Sequence, residues 1–315
     1  MNYLFDALII AFLTADGVGM LVALQFWDGW QRLWFYKGWL VLALLAWLVI
    51  FYGSFIEPRL LLVAREEIKL GSAPTETLSV ALISDLHVGP YKKADYIEKV
   101  VAKTLSLKPD IILLAGDFVY DNQNQTEYLA PLKKLQAPYG VFAIMGNHDY
   151  GDHEVVTGAP ADVRASTVRS TLTSMGIKIL INEGVKIHKG SKDIFLLGTD
   201  ELWTKRANIE QALESFHLNK IPHPSILVTH NPDLVIQAQS EEIDLVLAGH
   251  THGGQIRLPF LGSVPPIPDE LGRKYDRGLF AFGKTQLFIT SGAGEMGPRA
   301  RLLVPPEVAL LEVKF

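Results

Sequence analysis

Five apolar runs in this chain end in residues that bind metals or move protons. "ALISDLHVG" closes on Asp85 and His87, "ILLAGDFV" on Gly116 and Asp117, and "FAIMGNHDY" on Gly146, Asn147, His148 and Asp149. "ILVTHNPD" closes on His230, and "LVLAGHTHGG" on His250 and His252. Carboxylates, imidazoles and one amide oxygen suit borderline divalent ions such as Mn²⁺, Fe²⁺ or Zn²⁺. Two cations held about 3.5–4 Å apart repel each other, so a shared anionic ligand is expected between them. Asp117 is the natural bridge. Asn147 would add a neutral oxygen, which leaves positive charge for an anionic substrate. Asp85 and His87 are two apart, as are His250 and His252. In extended backbone, such pairs project to one side, so this spacing would let each pair reach a common cation.

Taken singly, each motif has an ordinary explanation. Asp-x-His is a common capped turn, Gly-Asp a common turn dipeptide, and Asn-His-Asp another turn. Together they are harder to dismiss, because five of the nine histidines fall at these strand ends with carboxylates among them. The chain has no cysteine, which removes any thiolate metal site and any disulfide framework. Its net charge of −5 argues against a nucleic-acid partner.

Strands and helices alternate around these ends. Runs at 78–84, 110–116 and 139–146 read as buried strands, and 93–105 has helical spacing in Ile97, Val100, Val101 and Leu105. Residues 150–182 break the rhythm with a polar stretch and a helix at about 161–175, placed just after His148 as a cap over the site would be. Short strands follow at 177–181, 185–188, 193–198, 225–229, 244–248, 278–282, 286–290 and 308–314. This pattern predicts an α/β domain over 78–315 with two packed sheets rather than one open sheet. In α/β sheets ligands gather outside the carboxyl ends of strands, so the five ends are expected to share one crevice.

The front of the chain is different. Residues 1–56 carry only five ionisable acid or base side chains: Asp6, Asp16, Asp28, Arg32 and Lys37. "GWLVLALLAWLVIFYGSFI" (Gly38–Ile56) is uncharged and close to the roughly 20 residues that cross a bilayer. Trp34, Tyr36 and Trp39 lie near one end and Tyr52 near the other, as in an aromatic belt. Leu4–Trp27 is a second apolar segment, with Asp16 expected to face the neighbouring helix or be protonated. Residues 1–56 are therefore read as a membrane anchor of two helices, and 57–77 as a polar linker. No basic n-region marks a cleavable signal. Arg59, Arg65 and Lys69 on one side outnumber Arg32 and Lys37 on the other, which puts the large domain on the cytoplasmic side of an inner membrane.

With these motifs in this order, the chain resembles the calcineurin-like metallophosphoesterases over roughly residues 78–315. The resemblance implies a four-layer αββα sandwich and a dinuclear centre. One metal would take Asp85, His87, Asp117 and His252; the other would take Asp117, Asn147, His230 and His250. His148 would be the acid beside the leaving group. Mn²⁺ is the first expectation, with Fe²⁺, Zn²⁺, Co²⁺ or Ni²⁺ as alternatives. Many members continue Gly-Asp-x-x-Asp, whereas Tyr120 stands in the last place here and Asp121 follows it. The partner that orients His148 is thereby open between Asp149 and Asp121.

Glu57-Pro58 after the apolar segment, "GGQIRLPFLG", "GRKYDRGLF" and "PPEVALLEV" are similar to the membrane-anchored bacterial branch. One activity in that branch is hydrolysis of UDP-2,3-diacylglucosamine in lipid A synthesis, which makes a nucleotide-linked lipid the specific expectation. A phosphodiesterase or phosphatase acting on soluble substrates is the alternative. A non-catalytic membrane scaffold would have no need of so many polar groups at strand ends. "IRLPFLGSVPPIP" (256–268), with Leu258, Phe260, Leu261 and Val264, is read either as a segment that cradles acyl chains or dips into lipid, or as a proline-stiffened loop on its own core. Arg299 and Arg301 are candidates for neutralising substrate charge. Oligomeric state is left open by the sequence.

Overall fold

The computed structural model describes residues 2–25, 34–120, 123–151, 161–217, 222–267 and 269–315. Two six-stranded sheets form its centre. The first contains β1 (Leu62–Lys69), β2 (Thr77–Ile83), β3 (Ile111–Ala115), β4 (Val141–Ile144) and β5 (Lys178–Ile179). The second contains β6 (Glu183–Lys189), β7 (Lys192–Gly198), β8 (Ser225–Val228), β9 (Leu245–Ala248), β12 (Gly278–Phe282) and β13 (Thr285–Ile289). β10 (Arg257–Leu258) and β11 (Gly262–Ser263) form a separate small hairpin, and β14 (Glu307–Lys314) returns to the first sheet. The orders are β1-β14-β2-β3-β4-β5 and β12-β13-β9-β8-β7-β6.

Three apolar layers hold these elements. Val80, Leu82, Leu113, Leu196, Ile226 and Leu245 meet between the sheets. The outer face of the first sheet is covered by the helices Ala94–Ser106 and Ala161–Ser174, through Ile97, Val100, Val168 and Leu172. The second sheet is covered by Ile209–Glu214 and Val235–Ser240, through Ile209, Ala212, Val235 and Ala238. A strand buried on both faces needs apolar residues at nearly every position, which is why Ile111–Ala115 and Leu245–Ala248 read as continuous apolar runs. The result is the four-layer αββα sandwich.

Two expectations change. Residues 57–77 are not all linker: Glu57–Arg59 forms a 3₁₀ turn and β1 pairs in parallel with β14, Leu62 opposite Glu307. β1 is an edge strand, so only Ile68 is fully buried, and its charged outer residues hid it from a pattern search. The helix Ala161–Ser174 belongs to the outer helical layer rather than to a cap. Residues 152–160 of that stretch lie outside the described residues.

Two apolar helices precede the sandwich, Asn2–Gln25 and Trp34–Phe51, the second continuing through one π turn at Tyr52–Ile56. Both are long and apolar enough to cross a membrane. They pack together, with the Trp47 indole donating to Leu13 O at 3.0 Å. Asp16 is half-buried, its Oδ2 shielded from solvent.

The second helix is tied to the sandwich. The Glu57 carboxylate accepts from Leu303 N (3.0 Å) and Val304 N (2.6 Å), and Arg301 N donates to Gly53 O at 2.8 Å. The Lys92 ammonium, buried beside Glu295 at 3.1 Å, donates to Pro58 O at 2.5 Å.

Candidate metal centre

The loops after β2, β3, β4, β8 and β9 converge, and every metal-ligating residue expected from the sequence is buried there. Six of the seven fall into two groups: Asp85, His87 and His252, and Asp117, His230 and His250. His87 Nε2 lies 3.1 Å from His252 Nε2, and His252 Nε2 lies 3.6 Å from Asp85 Oδ1. His230 Nε2 lies 3.1 Å from His250 Nδ1. Asp117 Oδ2 stands between the groups, 3.4 Å from His87 Nε2 and 3.1 Å from His230 Nε2. Its other oxygen accepts from His148 N at 2.9 Å, which leaves Oδ2 free to be shared.

The two-apart pairs do not work through extended backbone. Asp85, His87, Asp117, His250 and His252 all have positive φ, at 56°, 42°, 55°, 70° and 53°. Such conformations cost on the order of 1–3 kcal/mol each in non-glycine residues and persist where surroundings over-determine them. The turns let Asp85 and His87 meet in one group, but they send His250 and His252 to different groups. Close packing enforces the turns. A Cβ on Gly146 would stand 2.2 Å from Asp117 Oδ1, and one on Gly249 would stand 1.9 Å from Ser84 Oγ. Only glycine permits these approaches.

Electrostatics prepares the groups for a cation. Burial holds the His87 and His252 imidazoles well below their ordinary range, so both are neutral with a lone pair to offer. Burial opposes charge on Asp117, but His230, His148 and His87 outweigh it and keep the carboxyl ionised. His230 is pushed up to about 10: burial works against its charge, and the Asp117 carboxylate prevails. A field that holds a proton there would also hold a divalent cation. Asn147 Oδ1 is buried without a hydrogen-bond partner, as an oxygen meant for a metal would be. The residues present therefore fit a pair of divalent ions.

His148 lines the same cavity, which measures about 430 Å³. Its Nδ1 lies 3.0 Å from Tyr120 O, so a backbone carbonyl positions the ring. Asp149 has another task. Its carboxylate accepts from Asp117 N, Phe118 N, Val119 N and Gly146 N at 2.8–3.3 Å, joining the β3 and β4 loops. Asp121 lies outside the described residues.

Arg301 is fully buried and donates to the carbonyls of Gly294, Val304 and Ser291, so it braces a loop rather than meeting substrate. Arg299 lies over the rings of Phe55 and Tyr91. Two residues not singled out in the sequence also belong to the site. Asp269 Oδ1 lies 3.1 Å from His250 Nε2, and Trp203 sets its ring edge against His250 at 4.4 Å between centroids. A lone acid in a proline-rich loop and an isolated tryptophan carry no motif that would have marked them. Ile256, Pro265, Pro266 and Ile267 give the cavity an apolar part of its lining.

Residues 78–254 match the calcineurin-like phosphoesterase family, and the chain belongs to it. Its fold and site define a metal-dependent phosphoester hydrolase. Among its relatives is phosphodiesterase YaeI of Escherichia coli, 30% identical, the match covering 83% of this chain and 92% of that one. The uncharacterized metallophosphoesterase YkuE of Bacillus subtilis is 28% identical over 84% of this chain and 89% of its own. The UDP-2,3-diacylglucosamine pyrophosphatase LpxG of Chlamydia trachomatis is also 28% identical, over 84% of this chain and 92% of its own.

Proposed function

We propose that the chain is a membrane-anchored hydrolase of a phosphodiester or pyrophosphate bond, with UDP-2,3-diacylglucosamine as the leading substrate. The observation that carries the chemistry is Asp117 Oδ2, set between two ligand groups beside a cavity that His148 lines. Asp85, His87, Asp117 and His252 would hold one divalent ion; Asp117, Asn147, His230 and His250 would hold the other, with Mn²⁺ as the preferred metal. Bound there, the ions would supply Lewis-acid activation of the phosphate and of the attacking water.

The chain's own groups do the rest. Asn147 contributes oxygen without charge, which keeps the centre attractive to an anion. His148 is positioned by Tyr120 O at Nδ1 and lines the cavity, which suits its ring to deliver a proton to the leaving oxygen. General acid help of this kind is worth about 10²–10⁴-fold. The apolar wall of Ile256, Pro265, Pro266 and Ile267 suits an amphipathic substrate, as does an anchor that keeps the site at a bilayer. The relative named for hydrolysis of a lipid-linked UDP sugar supports the same choice. The positive charges that flank the apolar helices support a cytoplasmic domain at a bacterial inner membrane.

The relative named as a phosphodiesterase favours a second reading, cleavage of soluble diesters. The protein purified in mild detergent would be assayed with Mn²⁺ against soluble diesters, monoesters and UDP-2,3-diacylglucosamine. Release of UMP from the lipid alone is expected. Turnover of soluble diesters with no action on the lipid would replace the first reading by the second.

A further inference from the structure

The hairpin β10–β11 carries the most exposed apolar residues of the sandwich. Phe260 is 107% exposed and Leu261 is 73% exposed, with Leu258 and Val264 beside them. Phe260 also has φ +67°, a left-handed conformation that a bulky side chain rarely adopts. A fully exposed aromatic on left-handed backbone costs free energy twice.

The hairpin's place is fixed by hydrogen bonds that lead to the apolar helices. Arg257 N donates to Leu302 O at 2.9 Å, and Leu302 N to Gln255 O at 3.0 Å. The next residue, Leu303, is itself exposed and donates its N–H to Glu57 at the end of the second helix. Leu302 also packs against Gly53. Phe260 and Leu261 share a hollow of about 470 Å³ with Leu303, Arg273 and Lys274, so cations border the apolar tip.

We propose that this hairpin tip enters the lipid leaflet next to the anchor, with Arg273 and Lys274 facing anionic headgroups. Exposed apolar side chains bordered by basic ones are the pattern of interfacial membrane contact, and here the hairpin is tied through Leu302 to Gly53 at the end of the second apolar helix. The stem of the same hairpin, at Ile256, and the segment that follows it, Pro265–Ile267, line the catalytic cavity. Seating the tip in lipid holds the cavity at headgroup level, where an amphipathic phosphate can be taken without leaving the bilayer. The inference rests on the anchored reading above.

The absence of cysteine makes the test direct. Phe260→Cys and Leu261→Cys, each labelled with an environment-sensitive fluorophore, would be compared with Lys284→Cys, an exposed site at the far end of β13. The full chain would be reconstituted in phosphatidylethanolamine–phosphatidylglycerol vesicles, with and without nitroxide-bearing lipid. Blue-shifted emission quenched by the nitroxide lipid is expected at 260 and 261, and neither effect at 284. Quenching at 260 and 261 no greater than at 284, in protein that floats with the vesicles, would overturn the inference while leaving the anchor intact. Protein that does not float would overturn the anchor and the inference together. An emission shift that grows with protein concentration and ignores the lipid quencher would assign the patch to a second copy of the chain and so overturn it.

Discussion

The two halves of the metal centre are built from the same residue types but are not equally supported. In the half formed by Asp117, His230 and His250, one outer ring nitrogen is hydrogen-bonded: His230 Nδ1 donates to Ala115 O at 2.7 Å. His250 Nε2 makes no hydrogen bond, but the Asp269 carboxylate stands 3.1 Å from it as a charge neighbour. In the half formed by Asp85, His87 and His252, His87 Nδ1 and His252 Nδ1 are buried with no hydrogen-bond partner. Those two rings are held by packing, stacked on each other at 5.0 Å with 22° between planes. An outer partner fixes the tautomer and raises ligand basicity. The Asp117–His230–His250 half should therefore be the tighter one, and the other the half that exchanges its metal.

The comparison can be broken most severely at the shared residue. Asp117→Asn removes the charge both halves use, so hydrolysis should fall on the order of 10³-fold or more. Elemental analysis of the purified variant should show both metals depleted. Retention of one full metal would mean that Asp117 serves a single half.

His148→Ala comes next. Turnover should drop about 10²–10⁴-fold with both metals retained, because His148 stands outside both ligand groups. Loss of a metal in this variant would place His148 among the ligands instead.

Asp269→Asn sharpens the difference between the halves. Replacing an outer carboxylate partner typically lowers metal affinity about 10–100-fold, and here the loss should be confined to the tighter half. Stepwise chelation followed by calorimetric titration should show two affinities in the parent and a narrowed gap in the variant. An unchanged titration would show that Asp269 does not support His250.

The smallest expected effect is at the joint between the sandwich and the second apolar helix. Glu57→Gln keeps one acceptor oxygen, so one of the two charge-assisted bonds from Leu303 N and Val304 N is lost and the other loses its charge, costing about 1–3 kcal/mol of stability. Thermal unfolding in detergent would measure it, and metal content should stay unchanged.

The ligand loops illustrate how far local pattern carries. Each strand run read from the sequence is present, because buried strands must be apolar and their loops must hold the polar residues. β1 escaped because an edge strand buries little, so Arg65, Glu66 and Glu67 make it look like a linker. Spacing alone would send His250 and His252 to one side; they lie in different groups, as the family resemblance implied, because the backbone at both is left-handed.

The sequence by itself determined the chemistry: oxygen and imidazole donors at strand ends, a shared aspartate, and an apolar front to the chain. Composition and periodicity are local, so they survive in a one-dimensional record. Only the tertiary structure decided that Tyr120 O holds His148, that Asp149 ties two loops, and that Asp269 reaches His250. It also buried Arg301 and tied the Phe260 hairpin, through Leu302, to Gly53 at the end of the second apolar helix. Every residue carries a carbonyl and any loop carries acids, so nothing marks in advance which one a distant ring nitrogen will meet. That is settled only when two sheets pack face to face.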